Sequence, residues 1–165
     1  MDKQVFEALL LKSIFACMAC DQQIDAKEMA HIRQQAKEKG LFGGLDLEME
    51  LKRLESELNE QGYGFFRSFF AELSGAGLDR EQELRLLDAS VDMVEANEEI
   101  EYAEVKFVKL IRAELKVSDV EILVANPAHN DYLKQDVFPI NPKKQLMSEF
   151  FVQENFPTIQ IPVQD

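Results

Sequence analysis

Carboxylates gather at two places in this chain at a spacing that could hold a cation. Cys20 to Glu28 reads Cys-Asp-Gln-Gln-Ile-Asp-Ala-Lys-Glu, and seventy-six positions later Ala96 to Glu104 reads Ala-Asn-Glu-Glu-Ile-Glu-Tyr-Ala-Glu. In that register Asp21 falls on Asn97, Ile24 on Ile100, Asp25 on Glu101 and Glu28 on Glu104. Calcium and magnesium are hard cations that take several oxygen ligands. Asp21, Asp25 and Glu28 could supply them at the first turn, and Asn97, Glu98, Glu101 and Glu104 at the second, with main-chain carbonyls and water completing either shell. Zinc is the third candidate ion. Neither turn is an EF-hand: in the first, Ala26 stands where the sharp-turn glycine belongs and Ile32 where the closing bidentate glutamate belongs. The same residues also have work to do without a metal. Asp25 fits a helix N-cap and Glu28, three residues on, completes a capping box that satisfies free N–H groups and the helix dipole.

The second turn is the more acidic. Glu95, Glu98, Glu99, Glu101 and Glu104 occur with no Lys or Arg among them, and Asp88 and Asp92 precede them at helical spacing. Such a run is a solvated face, a cation site or a docking patch for a basic partner. Cys17-x-x-Cys20 has redox or zinc spacing, but it lies inside a helical pattern with no second pair, so reduced, packed thiols are expected. Glu28-x-x-His31 matches one step of a carboxylate di-iron site, which needs two, and Phe107 stands where the second histidine would be. No glycine-rich phosphate loop or serine elbow occurs. An enzyme is not expected.

The elements that position these residues are helices. Apolar positions predict a first helix from about Gln4 to Cys20, apolar nearly all round, and a second from Asp25 to about Lys39 with Met29, Ile32 and Ala36 facing inward. All seven glycines lie between Gly40 and Gly77, at three connections that bound a leucine-striped third helix (Leu47, Leu51, Leu54, Leu58) and a phenylalanine-rich fourth (Phe65, Phe66, Phe69, Phe70). Asp79 caps a fifth helix to about Ala96 with a Leu84, Leu87, Val91 and Val94 stripe. A sixth runs from Glu101 to about Leu115, and a short seventh from Ser118 stops before Pro127. The 76-residue register extends to Cys17 over Met93 and Ile32 over Val108, which makes the first and fifth helices the leading, most buried members of two related helix-turn-helix units. The fold class is therefore all-α, a bundle of about seven helices over residues 1–125. A proline-containing, largely irregular extension over 126–165 is expected to dock Tyr132, Phe138, Ile140, Phe150, Phe151, Phe156 and Ile159 on the bundle or on a second copy in a homodimer, with a helical turn near Gln145 to Phe151.

A formal charge of −13 argues against nucleic acid and favours cations or basic protein surfaces as partners. The longest apolar stretch, Ala8 to Cys20, is interrupted by Lys12 and too short to cross a bilayer, and the start of the chain lacks the positive charge of a secretory signal. A cytoplasmic location without membrane insertion is expected.

The motif Asp21-Gln-Gln-Ile24-Asp25-Ala-Lys-Glu28 after an apolar helix, with the weaker copy Asn97-Glu-Glu-Ile100-Glu101-Tyr-Ala-Glu104, resembles the TerB-like domain of bacterial tellurite-resistance proteins over about Gln4 to Val124. Two departures stand out: Gln22 replaces the usual glycine, and both aspartates of the second copy are changed. The resemblance implies a non-enzymatic accessory domain of chemical-stress response whose acidic turns are suspected of holding a divalent metal ion. It also implies partners among other stress-response proteins, membrane-associated ones included, because related domains occur on a membrane-anchored co-chaperone. The alternative is a structural or protein-interaction module with no metal site.

Overall fold

The computed structural model describes residues 2–96, 102–133 and 157–162. Among them the fold is all-α: α1 (Lys3–Ala19), α2 (Ala26–Lys39), α3 (Leu47–Gln61), α4 (Tyr63–Gly75), α5 (Arg80–Glu95), α6 (Tyr102–Glu114), α7 (Asp119–Ala125) and a 3-10 helix, Pro127–Tyr132. The helix starts follow the local chemistry read from the sequence. Asp25, Asp79 and Ser118 are N-caps in capping boxes with Glu28, Gln82 and Glu121, and α2 ends on Gly40 in the left-handed conformation. The helix interrupted by Pro127 ends at Ala125, but the chain then winds into the 3-10 helix rather than an extended strand, because Asn126 caps it through Ala128 N–H.

Helix α1 is the centre of the molecule. Thirteen of its seventeen residues are buried, among them Lys12, whose Nζ reaches Glu72 on α4 at 2.9 Å and lies over the Phe65 ring, 5.2 Å from its centroid. Its most extensive packing is against α5, where Ser13 Oγ and Ser90 Oγ meet at 2.9 Å; Ser90 Oγ also donates to Leu86 O, so Ser13 is the donor between them. Helix α5 buries seven of its sixteen residues, a narrower interior side than that of α1. Its interior side is Leu86, Leu87, Ser90, Val91, Met93 and Val94, Leu84 is only partly covered, and Glu81, Arg85, Asp88 and Glu95 face solvent.

The phenylalanines of α4 form core, with Phe66, Phe69 and Phe70 packed around Phe107 of α6 at centroid distances from 5.3 to 6.4 Å. Some residues paired by the internal register share environments. Cys17 and Met93 are both interior. Glu7 and Glu83 are both buried, and each takes a main-chain N–H from the loop that leaves the second helix of its own unit: Gly44 N–H donates to Glu7 Oε2 at 3.2 Å, and Lys116 N–H donates to Glu83 Oε1 at 2.5 Å. No helix among the described residues is long and apolar enough to cross a membrane. Of the tail's apolar residues, Tyr132 and Ile159 are buried; Phe138, Ile140, Phe150, Phe151 and Phe156, and the helical turn expected near Gln145, lie outside the described residues.

Candidate functional site

The first acidic turn is built by the end of α1 and the start of α2. Gln22 N–H donates to Ala19 O, closing α1, and Asp21 Oδ1 accepts from Gln23 N–H at 3.0 Å. Gln22 sits at φ 72°, the left-handed region in which glycine is unstrained and other L-residues pay about 1–2 kcal/mol. Gln22 accepts this conformation, and its Nε2 donates to Tyr63 Oη at 3.2 Å. Asp25 Oδ1 then accepts from Glu28 N–H at 2.8 Å and Glu28 Oε1 accepts from Asp25 N–H at 3.2 Å, so both carboxylates are committed to the cap.

Glu28 is the unusual member. It is 3% exposed, and its register partner Glu104, in the first turn of α6, is 1% exposed. Burial is the main cause that pushes the Glu28 carboxyl up to about 8, against the cap hydrogen bond that pulls it down; repulsion from Asp25, Asp21 and Glu104 adds to the rise. Two buried carboxyls from the two units therefore face each other's field, with the thiols of Cys17 and Cys20 beside them. Both thiols are free, burial pushes both well above their ordinary value, and Cys20 Sγ donates to Cys17 O while Cys17 hydrogen-bonds to Ser90. Buried thiols held in this protonated state are poor nucleophiles and poor metal ligands.

Of the seven candidate ligands, Asp21, Asp25 and Glu28 cluster at the first turn, Glu104 reaches them through its field, and Asn97, Glu98 and Glu101 lie outside the described residues. Among the described residues, no three His, Cys, Asp or Glu side chains are arranged to hold a metal ion.

A second polar site lies along the solvated side of α5, and only its acids were visible in the sequence. Both histidines of the chain attach to it. His31 Nε2 lies 3.1 Å from Asp92 Oδ2, which also accepts from Gln35 Nε2 at 2.9 Å; one turn earlier His129 Nε2 lies 3.4 Å from Asp88 Oδ1 and 3.0 Å from Asn126 Nδ2. Near its end, Tyr132 Oη donates to Glu95 Oε1 at 3.3 Å, and burial, with Glu95 next, pushes the phenol up. Two shallow grooves flank these contacts. One, of about 200 Å³, runs between α2 and α5 past His31, Lys39, Arg85 and Asp92; the other, of about 250 Å³, lies between α5 and α7 past Glu81, Asp88 and His129. His31 is thus an α2–α5 tie, and its Glu-x-x-His spacing to Glu28 does not bring the two side chains to one centre. Nothing in the sequence linked His129 to Asp88, because the tie depends on the 3-10 helix after Pro127.

Comparison with protein-family models, with curated proteins and with solved structures finds no match for this chain in any of the three.

Proposed function

We propose that this chain is a non-enzymatic accessory protein that works by docking, in the cytoplasm, with the solvated side of α5 and the acidic turn after it receiving a basic segment of a stress-response partner. The observation that carries this reading is the line Glu81, Asp88, Asp92 and Glu95 on one side of α5, broken by the exposed Arg85, with Asp88 still 59% exposed at its side chain while it holds His129, bordered by a groove on each flank. A net charge of −13 supplies the long-range attraction for a cationic partner. The TerB-like resemblance supports an accessory role of this kind. The test is titration with a fluorescent lysine- and arginine-rich peptide at two salt concentrations. Asp88→Asn with Asp92→Asn should weaken binding several-fold and reduce its salt dependence, whereas Glu50→Gln with Glu57→Gln on α3 should leave both unchanged. Equal weakening by the two pairs would sink the α5 site in favour of unspecific charge attraction.

The buried pair Glu28 and Glu104 favours a second reading, in which a divalent cation (calcium, magnesium or zinc) relieves the repulsion among Asp21, Asp25, Glu28 and Glu104, with Asn97, Glu98 and Glu101 completing the set. Saturating metal would then stabilise the fold by about 2.7 kcal/mol at a hundred times the dissociation constant. Isothermal titration without saturable binding of any of the three ions ends that reading.

A further inference from the structure

The segment 157–162 is held on α3 by its main chain. Asn59 makes a two-point contact with Ile159: its Nδ2 donates to Ile159 O at 2.8 Å, and Ile159 N–H donates to its Oδ1 at 2.7 Å. One helical turn earlier, Glu55 Oε2 accepts from Ile161 N–H at 2.5 Å. Four residues of helix rise about 6 Å, and two residues of extended chain about 6.6–6.8 Å. The i, i+4 pair on α3 therefore matches successive inward N–H groups of an extended strand running antiparallel to the helix. Side chains alternate accordingly: Ile159 is buried in the core, Ile161 packs against it, and Thr158 and Gln160 are exposed. Pro162 biases Ile161 toward the extended region, which lowers the cost of ordering it.

The geometry points to the Glu55–Asn59 face of α3 as a receptor site for an extended peptide segment of a partner protein, with aliphatic residues at alternate positions. The chain's own residues 157–162 occupy that site as an intrachain ligand that the partner displaces. These three hydrogen bonds are made to the backbone of the segment, so the site reads conformation and the two aliphatic positions, not Thr158 or Gln160. A segment held by three hydrogen bonds and two aliphatic side chains opens more readily than the bundle beneath it. This site is separate from the acidic side of α5 and stands or falls without it.

A fluorescent peptide of residues 155–165 is the probe. A tethered ligand competes at an effective concentration on the order of millimolar, so the peptide should bind the full chain carrying Ile159→Asp at least tenfold more tightly than the unmodified chain. Adding Asn59→Ala to that variant should remove at least tenfold of the gain, as should N-methylation of Ile159 in the peptide. Exchanging the peptide's Thr158 and Gln160 for other polar residues should change nothing. Where Ile159→Asp loses helical circular dichroism, the unmodified chain gives the answer: excess peptide should speed amide exchange at Ile159 and Ile161 and leave the α1 amides untouched. Saturable binding indifferent to Asn59→Ala, or no binding with no change in exchange, overturns the proposal. So does a native dimer that Ile159→Asp converts to monomer, since the occupant would then come from a second copy.

Discussion

At the start of α2, Asp25 and Glu28 exchange two hydrogen bonds; at the start of α7, Ser118 and Glu121 exchange the same two, at 3.2 and 2.8 Å. Each glutamate accepts from the N–H of its cap residue, yet their carboxyls shift in opposite directions. Glu121 is only partly covered and is pulled below the usual range, first by the Ser118 N–H and further by Arg80, whose Nε lies 2.9 Å away. Glu28 makes the equivalent bond but is buried among other carboxylates, and it rises to about 8. One local motif thus gives a helix start in both places, while the sign of its charge energetics is set by what packs over it.

The comparison breaks most sharply along the pH axis. Between about 4.5 and 8 the folded protein holds a proton on Glu28 that the unfolded chain releases, so stability falls as pH rises through that window and levels off above it. A tenfold change in proton affinity is worth about 1.4 kcal/mol; with screening by nearby solvent taken off, the loss is on the order of 3 kcal/mol. Glu28→Gln keeps the carbonyl acceptor for Asp25 N–H, as Gln82 does for Asp79 at the start of α5, and should abolish the fall, leaving the variant the more stable above pH 8. Urea unfolding at pH 5, 7 and 9 measures it; parallel curves for the two proteins would refute the assignment. Glu121→Gln should act with the opposite sign, since a depressed carboxyl stabilises above its unfolded value and that contribution is lost as pH falls.

A smaller effect tests whether the cap bonds themselves are equivalent. Asp25→Ala and Ser118→Ala should each cost about 0.5–2 kcal/mol, with Asp25→Ala partly offset above pH 8 because it removes a charge that repels Glu28. Thermal melts at pH 6 and pH 9 should show the offset for Asp25→Ala alone. The smallest effect belongs to Arg80→Ala: the Glu121 carboxyl should move back toward its ordinary value by NMR titration, while urea unfolding shows no resolvable change, as expected of a solvent-screened ion pair.

These contrasts also mark what the sequence could carry. Helix starts, the glycine-bounded connections and the interior place of Cys17, Met93 and the α4 phenylalanines were legible, since caps, turn residues and apolar period are local signals. The capping role of Asp25 and Glu28 was legible for the same reason. The burial of Glu28 and Glu104 was not, because it depends on how two units meet. Nor were the His31–Asp92 and His129–Asp88 ties, or the hold of Asn59 on Ile159, a hundred positions away. Spacing along one helix says nothing about a partner that arrives from another.

The paired clamps at Glu7 and Glu83 bear on how the molecule assembles in time. Each closes a loop within its own unit, 37 residues from Glu7 to Gly44 and 33 from Glu83 to Lys116, whereas the Ser13–Ser90 contact between α1 and α5 spans 77. Short closures cost less chain entropy and precede long ones. Each half is then expected to condense as its own nucleus, with the α3–α4 hairpin entering after the first half has sealed and the seam between α1 and α5 closing last. In refolding kinetics, Glu7→Gln and Glu83→Gln should slow folding, while Ser90→Ala should act mainly by speeding unfolding.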